Sequence, residues 1–161
     1  MKKDKLFVML EDIEKLKDIK NIKFAYCLAK NKNKILNEVE LIKSSLRKLS
    51  VEEDKTYKEY ITRRKSLLDK CSNRDKNGKV IIEDGIYSIN DVDNFIKDNA
   101  VLEEQFNDTI TKVKDVNKKN KDFLDSELED KIIFSKINLS EVPDEISLSQ
   151  IQNLMDLIEE D

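Results

Sequence analysis

The stretch "AYCLAKNKNKILNEVELIKSSLRKLSVEED", residues 25–54, decides how the rest of the chain is read. Leu28, Ile35, Ile42 and Leu49 recur every seven positions, and Ala25, Val39 and Leu46 fill the alternate seam. Lys32 is the one polar break. This spacing predicts a coiled-coil-like helix over about 22–49. The pattern ends in Ser50-Val51-Glu52-Glu53, an S-x-x-E capping box that opens a new helix. Without that break, a helix from 22 to 72 would be about 75 Å long. Tyr57, Tyr60/Ile61, Leu67/Leu68 and Cys71 resume the stripe in a new phase, which gives a second helix over about 51–72.

Working outward, "MKKDKLFVMLEDIEKLK" begins with lysines and a short apolar run. Five apolar residues before Glu11 and Asp12 are too few for a signal peptide, so the segment reads as a helix over about 4–18 and the address as cytoplasmic. No run approaches the roughly 18 apolar residues that a membrane span needs. Downstream, Asn90 and Asp93 open a long helix to about 124, carrying Val92, Phe95/Ile96, Leu102, Phe106, Ile110, Val113, Val116 and Phe123. Ser147-Leu148-Ser149-Gln150 is a further capping box, opening a short helix over about 148–158.

Between these lie the β signals. Asp84-Gly85 between β-branched runs is a two-residue hairpin signal, so a β element is expected over about 79–89. "KIIFSKINL" (131–139) alternates like a strand. Since a lone hairpin is marginal in water, the 131–138 strand is expected to pair with it. The fold class is mainly α, with about 60–70% of residues helical. It is a single elongated domain over 1–161: a long antiparallel helical hairpin or small bundle with a short β-hairpin, one extra strand and a short C-terminal helix.

Only two glycines and one proline accompany 39% apolar and 40% charged residues, a balance that favours amphipathic helices over a β-sandwich. Charge is uneven: residues 1–76 hold 21 Lys/Arg against 13 Asp/Glu, and residues 77–161 hold 9 against 21. Those halves, +8 and −12, return the net −4. The simplest reading is that they fold against each other. A basic surface for nucleic acid is the other, with "KNKNK" (30–34), "RRK" (63–65) and "KKNK" (118–121) as its runs. Its candidate residues are Lys30, Lys34, Arg63 and Arg64, with Asn31 and Asn33 able to reach phosphate or base edges. The runs are short and lack an aromatic platform, and Tyr57 and Tyr60 read as core.

Catalysis gains little. The sequence contains no histidine, so the commonest general base and every Cys-His or Ser-His-Asp arrangement are missing. Two isolated glycines build no phosphate-binding loop. Carboxylate pairs (Glu52/Glu53, Glu103/Glu104, Asp122/Asp125) are what an acidic chain produces by chance. Cys27 and Cys71 read as free buried thiols. No catalytic residue and no cofactor are expected.

"NRDKNGKVIIEDG" (73–85) resembles a calcium loop, with Asn73, Asp75, Asn77, Gly78 and Asp84 at ligand-like spacing. The first ligand is a neutral Asn, Asp stands where a bidentate Glu belongs, and Gly85 interrupts the exiting helix. A turn therefore explains the stretch, with those four oxygen-bearing residues as the weaker metal reading.

With the whole layout in view, "FAYCLAKNKNKILNEVELIKSSL", "RRKSLLDKCSNRDKNGKVIIEDGIYSINDVDNFIKDNAVLEEQ" and "IIFSKINLSEVPDEISLSQIQNLMDLIEED" resemble a family of small phage and prophage proteins of low-GC Gram-positive hosts. That family is known only as a domain of unknown function, and the resemblance covers about 22–161. It brings no catalytic residues. It implies a non-enzymatic accessory protein acting as an interaction module toward a host or virion component, with a protein partner, self-association as an option and no membrane. Nucleic-acid binding through the basic N-terminal half is the alternative.

Overall fold

The computed structural model describes residues 1–159. Helices take 65% of the chain, within the expected range. They are α1 (Lys3–Lys15), α2 (Ile22–Ser45), α3 (Val51–Cys71), α4 (Val92–Gln105), α5 (Asn107–Asp125) and α6 (Leu148–Leu154). Four short strands join them: β1 (Ile82–Glu83), β2 (Ile86–Tyr87), β3 (Ile137–Asn138) and β4 (Ile158–Glu159). The chain forms two compact units. One comprises Met1–Leu46 with the residues from Lys119 onward; the other is Arg47–Lys118. Each has its own hydrophobic cluster, because the chain leaves helical geometry after Ser45 and re-enters it only at Val51.

In the first unit, α2 starts where the Asn21 side chain accepts from the Phe24 N–H at 3.0 Å. It ends at Ser45, with Leu46 extended (ψ 136°), four residues short of the expected boundary. Ser44 and Ser45 hydroxyls both donate to the Leu41 carbonyl, a local alternative to helix propagation. The heptad's last members, Leu46 and Leu49, thus fall outside the helix. The buried face is Phe24, Cys27, Leu28, Asn31, Ile35, Val39 and Ile42. That is the i, i+3, i+4, i+7 stripe of an ordinary globular helix, not the 3.5-residue seam of a coiled coil. Lys32, half-buried beside that stripe, pairs with Glu14 at 2.6 Å. Leu6, Met9 and Ile13 of α1, with Ile137, Ile146, Leu154 and Leu157, complete the core.

The segment 131–138 does not join the hairpin. Only Ile137–Asn138 is strand, and it pairs in parallel with Ile158–Glu159. A parallel pair needs a crossover connection, and α6 supplies it. The C-terminal helix consequently stops earlier than expected, at Leu154, followed by a 3-10 turn over Met155–Leu157. Upstream of β3, the extended chain docks on α2 instead of on a sheet. The Asn31 amide accepts from the Ser135 N–H and donates to the Ser135 carbonyl, both at 2.8 Å. A helix side chain thus does the work of a neighbouring strand. Asn31, read from the sequence as a contact to phosphate or bases, is fully buried.

The second unit is an antiparallel helical hairpin. The Ser50 capping box at the start of α3 forms in both directions. At the far end the Asn90 N–H donates to the Cys71 carbonyl at 2.8 Å, bringing the return leg alongside. Further down, the Tyr60 and Phe106 rings lie 5.7 Å apart and Lys112 pairs with Glu53 at 2.8 Å. The helix expected over 90–124 begins two residues later, at Val92, capped by Asp91, and is interrupted at Phe106. Phe106 leaves helical geometry with its buried ring held against Tyr60, and its carbonyl then starts α5 by accepting from the Ile110 N–H.

Candidate functional site

Three regions bear on function: the 73–90 turn, the basic residues, and one face of the hairpin of the second unit.

The turn is tied down by its own backbone. Oδ1 of Asp75 accepts from the N–H groups of Asn77 (2.8 Å) and Lys79 (2.9 Å), an Asx turn. The Asn73 amide donates to Ser88 Oγ at 2.9 Å, and Arg74 donates to the carbonyls of Gly78 and Asp69. Asp84 sits instead at the tip of the β1–β2 hairpin. There Asp84 (φ 49°) and Gly85 (φ 80°) make the two-residue reversal with positive φ at both positions. Asn73, Asp75, Asn77 and Asp84 are therefore divided between two turns, and the carboxylate of Asp75 is engaged with backbone amides. Gly78→Val (φ 77°) or Gly85→Val meets no steric neighbour, so its cost is the backbone strain alone, about 1–2 kcal/mol by thermal denaturation. Calcium at about 5 mM is expected to raise the melting temperature no more than magnesium does; a calcium-specific rise lost in Asp75→Asn would restore the cation reading.

The four basic candidates fall in both units. Lys30 lies exposed on α2, 5.7 Å from the Tyr26 ring centroid. Lys34, one turn on, donates to the Ile133 carbonyl at 2.6 Å. Arg63 pairs with Glu59 at 2.6 Å and stacks 5.5 Å from the Phe106 ring. Arg64 is half-buried toward the return leg. Asn33 is exposed. Complementary charge does link early and late segments of the first unit, through Lys5–Asp156 at 2.5 Å and Lys23–Glu141.

Perturbed titrations are few. Hydrogen bonds from Lys112 and Ser50 hold Glu53 down at about 2. A depressed carboxylate stabilises the fold above its unfolded value, and that contribution fades as pH falls through about 2. Lys112→Met should bring the Glu53 midpoint back up, toward the range of a capping carboxylate, in a carbon-detected NMR titration. Burial raises the Cys27 thiol, which lies 3.3 Å from the Ser135 carbonyl. Burial also raises Tyr60, with the Glu103 charge adding to it. Among the described residues no cluster of three or more His, Cys, Asp or Glu is placed to hold a metal. No described helix is long and apolar enough to cross a membrane.

The hairpin face is the most distinctive surface. On α3, Tyr57, Tyr60, Arg64, Leu67 and Cys71 turn toward the return leg; on α4, Phe95, Asn99 and Leu102 turn toward α3, followed by Phe106. Each residue advances about 100° around the axis, so Ile61 and Leu68 stand on one flank of that seam and Val92 and Ile96 on a flank of theirs. In antiparallel helices these two flanks lie on the same side of the layer. Tyr57 and Ile110, partly buried against the Tyr60–Leu102–Phe106 cluster, extend it. Ile61 is 44% exposed, Val92 53% and Ile96 60%. The opposite side is polar, with Arg63 over the Phe106 ring and a cleft lined by Lys70, Asn90, Asp91, Asn94 and Asp98. Sequence reading counted this apolar stripe as core, because periodicity reports a helix face without reporting what covers it.

No protein-family model matches the sequence, and neither curated proteins nor solved structures supply a match.

Proposed function

We propose that the protein is a non-enzymatic interaction module whose contact surface is the apolar side of the hairpin in the second unit. The observation that carries this is the exposure of Ile61, Val92 and Ile96 on one side of a two-helix layer that is polar on the other. A contiguous apolar patch rimmed by polar residues marks a protein contact. In line with the phage-family resemblance, the setting is a phage or prophage accessory protein in the host cytoplasm, directed at a host or virion component. The test compares wild type with Ile61→Asp/Ile96→Asp in co-purification from host extract. A protein retained by wild type and lost by the variant, at unchanged helical content, supports the reading. Turnover of nucleotide or nucleic acid by the purified chain overturns it.

Nucleic-acid binding through Lys30, Lys34, Arg63 and Arg64 ranks second. Lys34 and Arg63 hold internal partners, which leaves fewer cations for phosphate. Several phosphate contacts would make affinity fall about tenfold or more between roughly 50 and 200 mM salt; no binding at about 50 mM removes this alternative.

A further inference from the structure

We infer that the first unit holds a docking cleft for an extended, alternately apolar peptide, which adds as a strand along residues 131–134. The site is in a different unit from the hairpin face and stands independently of it. Residues 126–138 take backbone partners at both ends. The Lys3 N–H donates to the Ser126 carbonyl and the Leu128 N–H to the Met1 carbonyl, both at 3.0 Å. At the other end Ile137–Asn138 pairs with β4. Between those ends a cleft of about 570 Å³ opens, with Met1 and Asp156 among its lining residues. That volume is in the range of ligand sites.

The backbone says what fits there. Successive residues of an extended chain turn their N–H and C=O groups to opposite edges. Ser135 pairs its N–H and carbonyl with the Asn31 amide, and the Ile133 carbonyl accepts from Lys34, so the odd-numbered residues face α2. Those of Ile132 and Phe134 consequently point the other way, and among the described residues they have no hydrogen-bond partner. The cleft is on that edge: of residues 127–136, Ser135 alone does not line it. An open row of backbone donors and acceptors is a template for another strand, and a compact apolar ligand would leave it unsatisfied. Four residues of strand span about 13 Å, enough for a peptide to meet both Ile132 and Phe134. Those two side chains are half-buried and Ile133 is 83% exposed, so the peptide finds apolar contacts on both of its faces.

The test is an NMR titration of the full chain with a capped peptide of alternating valine and threonine, flanked by lysines for solubility. Binding is expected with a Kd below about 0.5 mM. At about 2 mM peptide, amide exchange with water should then slow at least about fivefold at Ile132 and Phe134, and stay unchanged at Ile133. Ile132→Pro, which removes an N–H from the cleft edge, should abolish binding. Ile133→Pro, whose lost N–H faces the other edge, should leave it intact; both are compared at unchanged helical content. The same peptide interrupted by a central proline is the control. Slowed exchange confined to Ile132 and Phe134 supports strand addition, whatever the fate of the Ile132→Pro variant. No binding at about 2 mM, or equal binding of the proline-interrupted peptide, overturns it. Binding that leaves both amides exchanging freely overturns the strand geometry. Slowing that grows with protein concentration in the absence of peptide assigns the cleft to a second copy and overturns the peptide partner.

Discussion

Asn31→Ala is expected to lower the stability of the first unit by about 2–5 kcal/mol in urea denaturation, a larger effect than any surface change in the chain. The side chain is fully buried and makes both hydrogen bonds that a neighbouring strand would give Ser135. Truncation removes them together, leaving a backbone N–H and C=O facing a void. It also strips the amide from Cys27 Sγ, 3.4 Å away. Asn31→Leu would refill the space but not the bonds, and should recover only part of the loss. Asn31→Asp can still accept from the Ser135 N–H, yet it cannot donate to the carbonyl and it buries a charge. A loss under about 1 kcal/mol for Asn31→Ala would mean that the extended segment does not depend on this amide.

Phe24→Ala should cost about 3–5 kcal/mol, while Leu46→Ala should cost under about 1 kcal/mol. Phe24 is almost wholly enclosed at the first turn of α2, among the side chains of the larger core. The cavity left there has helices on several sides and little room to collapse. Leu46, by contrast, is half-buried on extended chain beyond the end of α2, although its heptad position marks it as core. Comparable denaturation midpoints for the two variants would contradict the helix end placed at Ser45.

What was legible in the sequence was local. The S-x-x-E and S-x-x-Q boxes at Ser50 and Ser147 formed as read, and Asp84-Gly85 made the two-residue hairpin. Each depends on groups within three or four positions, which the sequence displays side by side. The parallel β3–β4 pair and the Asn31–Ser135 docking join positions 21 and 104 apart. Nothing near Ile137 names Ile158 as its partner, and a lone Asn in a lysine-rich run looks solvated. Heptad counting failed at Leu46 and Leu49 because a seven-residue period persists in the string after two serines have ended the helix. The opposite charge of the chain's two halves was visible early.

The first unit is assembled from two separated stretches of chain. Lys3 binds Ser126 and Asp12 binds Asn153, contacts spanning 123 and 141 positions. The second unit is continuous, and its seam closes from the turn at Cys71–Asn90 outward. Loop-closure entropy and synthesis order then favour the same sequence of events. On the ribosome the hairpin is complete before the residues that enclose α1 have been made. Until then Leu6, Met9 and Phe24 wait without their cover. A pulse of hydrogen exchange during refolding should accordingly protect α3 and α4 amides before those of α1, and a nascent chain stalled near residue 125 should be where chaperones find this protein.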